Sequence, residues 1–222
     1  MDLVWALLLA LVQGLTEWLP ISSSGHLVVI QQLLGLDVPV AFDILLHLGT
    51  LASVIAYFWR DILAMLKALF TFNTSNPDFR TILLLILGSI PAGLAALFFL
   101  DSFESFFTNM LAVGAGFIAT AVILILSRLN RGKGEISWPA ALVMGLFEAL
   151  ALIPGVSRSG STISSGLFCG ADKQKVFRFA FLLSIPAIIG ATAVEIAKTP
   201  SIALDAGSLA ATVVAAVVGY IA

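Results

Sequence analysis

Two short stretches of this sequence hold most of the side chains able to do chemistry. One runs from Gln13 and Glu17 to Ser22, Ser23, Ser24, Gly25 and His26, and the other from Ser157 and Arg158 to Ser159, Gly160, Ser161 and Thr162. A serine hydroxyl attacks only when a neighbour takes its proton, and a carboxylate or an imidazole is the usual neighbour. Glu17, Ser23 and His26 supply these three types within ten residues, and His26, three residues after Ser23, shares its face if a helix restarts there. Arg158 adds a permanent charge on a planar fork that suits the paired oxygens of a phosphate. Gln13 and Glu17, four residues apart, share one helix face and could offer oxygen ligands to a hard divalent cation, although no acidic cluster completes a shell. The plainer alternatives are a salt bridge from Arg158 to Glu17 or Glu148 that clips two elements together, and capping or close packing for the serines.

The elements that must carry these groups are apolar. Hydrophobic residues make up 60% of the 222 and charged residues 11%, against roughly 25% charged in soluble domains, and mean hydropathy is +1.09. This composition indicates a single integral membrane domain over residues 1–222. Spans of ~20 apolar residues cross a bilayer, and residues 40–59, 80–100, 110–129 and 176–197 qualify, with a shorter one at 206–222. Residues 2–36 and 137–170 are too long for one span and too interrupted for two. Pro20 to Gly25 and Pro154 to Gly160 break them near the middle, which predicts two re-entrant helical hairpins. Serines at each break would cap a fresh helix start, and the exposed N–H groups there form an anion site. An arginine at that depth costs ~2.5 to 3.5 kcal/mol, so Arg158 requires an anionic neighbour.

The two hairpins also resemble each other. Gly14-Leu15-Thr16-Glu17 recurs as Gly145-Leu146-Phe147-Glu148, Ser22 to Gly25 as Ser157 to Gly160, and Leu45-Leu46-His47 as Leu182-Leu183-Ser184, at offsets of 131, 135 and 137. A duplication into residues 1–130 and 131–222 follows, each half a hairpin plus spans. An odd number of crossings per half inverts the second copy, an architecture known to place charged-substrate sites at the midplane. The second copy lacks a partner for the span at 110–129. Glu148 joins Gln13 and Glu17 as a candidate metal ligand through its repeat position.

Basic residues fall in three connections: Arg60, Lys67 and Arg80; Arg128, Arg131 and Lys133; Lys173, Lys175 and Arg178. The positive-inside rule makes these cytoplasmic, and the connection at 101–109, with Asp101 and Glu104, faces outside. Thr71 to Phe79 reads as a polar loop. The N-terminus has no basic segment or small-residue cleavage site and is not read as a removable signal peptide. A net charge of −2 argues against a nucleic-acid partner. The lone Cys169 excludes a disulfide framework and reads as a small buried apolar residue. His47, among apolar neighbours, reads as structural or supporting.

With these residues in place, "QGLTEWLPISSSGH" resembles the (E/Q)xxxE and PxSSxGH signatures of the BacA/UppP family of undecaprenyl-diphosphate phosphatases, and "PGVSRSGST" resembles that family's PGxSRSxxT signature. The resemblance extends over essentially the whole chain. It implies a polytopic bacterial inner-membrane enzyme that hydrolyses the terminal phosphate of undecaprenyl diphosphate, recycles the lipid carrier of peptidoglycan synthesis and confers bacitracin resistance. It further implies dependence on a divalent cation, Mg²⁺ or Ca²⁺, and a site open to the outer face. By position it assigns functional roles to Gln13, Glu17, Ser22, Ser23, His26, Ser157, Arg158 and Thr162, and Gln13 stands where glutamate is common. On this reading Ser23 is the preferred nucleophile, His26 the acid/base, and Glu17 orients it or binds metal. Ser22, Ser157, Arg158, Ser159, Gly160 and Thr162 bind the diphosphate, whose transition-state charge Arg158 neutralises. The alternatives are His26 as the nucleophile and, from another class, a transporter or flippase of an anionic polyprenyl lipid.

Overall fold

The computed structural model describes residues 2–128, 132–198 and 206–222. It is all-helical: α1 (Leu3–Glu17), α2 (Ser23–Leu33), α3 (Val40–Tyr57), α4 (Trp59–Phe70), α5 (Pro77–Phe107), α6 (Met110–Ser127), α7 (Trp138–Leu150), α8 (Arg158–Phe168), α9 (Lys173–Lys198) and α10 (Ala206–Ile221). Among the described residues, four helices are long and apolar enough to cross a membrane, namely α3, the Pro77–Phe99 part of α5, α6 and α9. The protein is a polytopic membrane protein. Both expected hairpins form, α1 with α2 and α7 with α8. The expected division at 130/131 lies outside the described residues, as does Arg131.

Short polar residues cap several of the helices, though not α3 or α4. Asn76 Oδ1 accepts from Asp78 N at 2.8 Å, with Pro77 opening α5, and Asn109 Oδ1 accepts from Leu111 N and Ala112 N at the start of α6. Each side-chain oxygen satisfies a donor that the helix cannot pair internally.

Helices far apart in sequence pack together. In one apolar cluster α1, α2, α3 and α10 meet through Leu9, Leu27, Leu46 and Ala215. In another, α7, α5 and α9 meet through Met144, Leu84 and Leu183. Thus α1 packs on α10 while α7 packs on α5, and the glycines at the matching hairpin positions make both contacts possible. A Cβ on Gly14 would stand 2.8 Å from Val218 Cβ of α10, and one on Gly145 would run into the Gly88 carbonyl of α5. Neither approach tolerates a side chain.

The described residues of the three basic connections gather at one end. There Arg178 Nε meets Asp61 Oδ1 at 2.6 Å, Arg80 Nη2 donates to the Ile136 carbonyl at 2.9 Å, Lys175 pairs with Glu135, and Gly134 forms a short parallel bridge with Ala171.

Three features differ from expectation. Residues 59–70, read as part of a connection, form α4, whose Met65 and Ala68 are buried while Leu63 and Phe70 are exposed. This stretch is too short and too charged to span, so a search for spans passes over its amphipathic pattern. Residues 101–107 are not a connection but continue α5 through a kink at Phe99 (φ −129°, ψ 15°); Phe103 and Phe107, one turn apart, line a cavity there. Cys169 is exposed rather than buried, because α8 ends at Phe168 and Gly170, at φ 78°, turns the chain away.

Candidate active site

Each hairpin break ends in a serine that caps the returning helix. Ser22 Oγ accepts from Gly25 N at 3.3 Å and Ser157 Oγ from Gly160 N at 3.1 Å. Ser22 holds φ 65°, a left-handed conformation that costs a non-glycine residue energy and is found where surrounding structure enforces it. The second break is pinned by Thr120 of α6, whose hydroxyl accepts from Ser157 N and donates to the Gly155 carbonyl, both at 2.9 Å. Ser159 Oγ donates across to the Leu19 carbonyl at 3.2 Å, and a Cβ on Gly25 would lie 2.9 Å from Gly155 Cα. The two breaks therefore touch, and the helix starts of α2 and α8 meet at one place.

Glu17, the last residue of α1, organises that place. Its Oε2 accepts from Ser23 Oγ at 2.6 Å and from Gln13 Nε2 at 3.1 Å, and its Oε1 pairs with Arg158 Nη2. A hydroxyl at 2.6 Å from a carboxylate forms a charge-assisted bond of the strong kind. The Glu17 carboxylate is thereby oriented by an arginine and aimed at a serine. Gln13, fully buried, also donates to Thr50 Oγ1 at 3.3 Å.

These groups face a cavity of about 340 Å³ lined by Glu17, Ser22, Ser23, Ser24, Asp43, His47, Glu148, Ser157, Arg158 and Ser159. Away from them the wall is mostly apolar, with Ala92, Gly93, Ala96, Phe103 and Phe107 of α5 and Ala187, Ile188, Ala191 and Val194 of α9, although Ser89, Thr192 and Glu195 also line it. A cavity with a charged end and a mostly apolar remainder suits an amphiphile.

The expected site residues divide into two groups. Glu17, Ser22, Ser23, Ser157, Arg158, Ser159 and Glu148 line the cavity, with Gln13 directly behind Glu17. His26, Gly160 and Thr162 are not among its lining. The His26 ring donates from Nδ1 to the Ser22 carbonyl at 2.7 Å and packs edge-on against Phe117 of α6, with ring centroids 5.2 Å apart. Thr162 is fully buried and gives its hydroxyl to the Arg158 carbonyl at 2.8 Å, while Gly160 is the residue that Ser157 caps. Sequence reasoning missed Asp43, Thr120 and the position of His47, whose Nε2 lies 3.8 Å from Glu17 Oε2. A signal was available, since Asp43 and His47 stand four apart on α3 just as Gln13 and Glu17 do on α1.

The donors fit a hard cation in one respect. Both oxygens of Glu148, buried beside the cavity, and Oε1 of Gln13 have no hydrogen-bond partner, and a buried carboxylate without a partner is costly. Glu17 differs, because Arg158, Ser23 and Gln13 already engage both of its oxygens. No three His, Cys, Asp or Glu side chains gather as a metal centre among the described residues.

Comparison with known proteins bears on this geometry. Residues 6–222 match the family described as bacitracin resistance protein BacA, a span that includes both hairpins. The chain belongs to the BacA family. A protein named undecaprenyl-diphosphatase from Methanosphaera stadtmanae is 37% identical over 241 residues, covering 100% of this chain and 87% of the relative. One of the same name from Alkaliphilus metalliredigens is 44% identical over 207 residues, covering 86% and 75%, and one from Paenarthrobacter aurescens is 41% identical over 238 residues, covering 100% and 86%. Membership in the BacA family thus covers all the elements that build the cavity.

Proposed function

We propose that this protein is a membrane hydrolase that cleaves undecaprenyl diphosphate to undecaprenyl phosphate and inorganic phosphate. Such an enzyme recycles the lipid carrier of cell-wall synthesis and protects against bacitracin. The observation that carries the reading is the 2.6 Å bond from Ser23 Oγ to Glu17 Oε2 beside Arg158, at the charged end of a cavity whose remaining wall is mostly apolar. A carrier or flippase needs an anion site but no hydroxyl aimed at a base, so this pair favours the enzyme.

In the proposed reaction the diphosphate enters the polar end, with the prenyl chain between α5 and α9. Arg158 and the N–H groups at the starts of α2 and α8 hold the phosphate oxygens. Ser23 Oγ attacks the terminal phosphorus and gives its proton to Glu17, and the bond to the bridging oxygen breaks, releasing the lipid monophosphate. Water then cleaves the phosphoserine. In-line transfer of this kind depends mostly on positioning and charge stabilisation; Glu17 positions Ser23 and Arg158, and Arg158 neutralises phosphate charge. The test is phosphate release from polyprenyl diphosphate by the purified protein. Binding without release would favour the carrier.

Glu148 is the side chain proposed to hold a divalent cation, Mg²⁺ or Ca²⁺, which would supply charge neutralisation for the phosphates. Chelation is then expected to stop phosphate release. Glu148→Gln should raise the cation concentration for half-maximal activity by roughly 10- to 100-fold, the range seen when a metal site loses a supporting group. An unchanged cation requirement would remove Glu148 from this role.

The basic end is proposed to face the cytoplasm of the inner membrane, with the active site opening on the other side. In a Cys169→Ser background, Asp37→Cys should react with an impermeant thiol reagent applied from outside, and Lys133→Cys should not. Both positions are exposed, so the reverse pattern would invert the topology.

A further inference from the structure

His47 has no role in the reaction as described, yet it stands at the reacting carboxylate. Its Nδ1 lies 2.8 Å from the Asp43 carbonyl oxygen. A carbonyl only accepts, so Nδ1 carries the hydrogen and, in the neutral ring, Nε2 is left with a lone pair. That nitrogen faces Glu17 Oε2, the oxygen that also accepts from Ser23 and Gln13, across 3.8 Å. Two acceptors facing each other have nothing to share, which accounts for a separation well beyond hydrogen-bond length. The mismatch disappears once Glu17 takes the serine proton, because the departing Ser23 oxygen frees the acid to turn its O–H from that side toward the waiting Nε2.

We infer that His47 is a proton-relay residue that acts through Glu17, a role that rests on the Ser23 mechanism proposed above. As the bond from Ser23 Oγ to phosphorus forms, the Oγ–H bond breaks and Glu17 Oε2 gains the proton. Glu17 passes it to His47 Nε2, and the imidazolium hands it to the departing monophosphate in the cavity, which His47 lines with its side chain 24% exposed. Glu17 and His47 are then reset. When water opens the phosphoserine, its oxygen joins phosphorus and one of its protons returns to Ser23 Oγ by way of Glu17. Protons balance over the cycle: the serine proton leaves on the lipid monophosphate, and water replaces it. The Asp43 carbonyl fixes the tautomer, and Gln31 Nε2 holds the Asp43 side chain at 2.8 Å, so the ring is oriented before substrate arrives. His26, with its ring against Phe117, is not placed to do this.

The test uses full-length protein in detergent with polyprenyl diphosphate, comparing wild type, His47→Ala and His47→Gln. Gln keeps much of the side-chain volume and serves as the folding control, but it cannot exchange the proton. Both variants are expected to lose at least ~10-fold in kcat, the low end of what proton transfer contributes, with KM within about twofold of wild type. Imidazole, which fits the space left by the Ala variant, should restore activity in His47→Ala but not in Ser23→Ala. The solvent deuterium effect on kcat should be larger in His47→Ala than in wild type. Relief by imidazole or an enlarged isotope effect sustains the relay. A kcat within twofold of wild type in His47→Gln overturns it, as does a loss that neither imidazole relieves nor deuterium enlarges. Failure of the wild type itself to release phosphate would instead refute the hydrolase reading, so the two failures are told apart.

Discussion

Arg158→Lys is expected to lower kcat by at least ~10²-fold although the positive charge is kept. The guanidinium has two jobs at once, pairing with Glu17 Oε1 while remaining on the cavity wall. A planar fork does both because its N–H groups diverge in fixed directions. An ammonium is a single compact point that satisfies either the carboxylate or a phosphate oxygen well. The lysine variant would leave the transition state short of one oriented donor, a loss that costs 10² to 10³ in comparable sites. It would also free Glu17 Oε1, so the carboxylate that must face Ser23 would lose its restraint. Steady-state phosphate release, with solubility and thermal stability as controls, reads the effect. A variant that turns over normally would mean that Arg158 only clips the two hairpins, the plainer reading of the same ion pair.

Much of the architecture was legible because membrane spans impose a strong signal. Apolar runs near 20 residues located α3, α6 and α9 closely, and proline, glycine and serine in the middle of two long apolar stretches marked both hairpins. Matching glycines and glutamates tied the hairpins to each other, and Gly14 and Gly145 prove to be close-approach points onto α10 and α5. What span counting missed was anything whose apolar face is partial. The α4 helix is one case, and the extension of α5 beyond Phe99, where Phe103 and Phe107 line the cavity, is another.

The site was legible in residue type and less so in direction. Glu17, Ser23 and Arg158 were expected together and the structure brings them together. His26 shows the limit of reading a face from spacing alone. Three residues along a helix turn the side chain by about 60° from the first, which leaves room for either the cavity or the α6 side, and Phe117 with the Ser22 carbonyl draws the ring to the latter. His47 shows the converse. Its neighbours in sequence are apolar, but the partner that matters comes from α1, thirty residues away in the chain, and no local pattern reports such a contact.

Ser23→Ala is expected to abolish hydrolysis while leaving polyprenyl diphosphate binding near the wild-type level. The anion is held by Arg158 and by backbone N–H groups at two helix starts, none of which needs the Ser23 hydroxyl, whose hydrogen bond in the resting state goes to Glu17. Removing it deletes the attacking oxygen and leaves Glu17 still paired with Arg158 and Gln13, so the fold and the charge balance of the site should persist. Brief reaction of wild type followed by denaturation should trap phosphate on Ser23, stable to acid as a phosphoserine is. Acid-labile phosphate on His26, with Ser23→Ala retaining substantial turnover, would overturn the serine assignment. It would also require the His26 ring to leave Phe117 and the Ser22 carbonyl, a rearrangement that Phe117→Ala should then make easier. If the serine assignment holds, Phe117→Ala should leave the trapped residue unchanged, because the ring it supports lies outside the cavity where the phosphorus must sit.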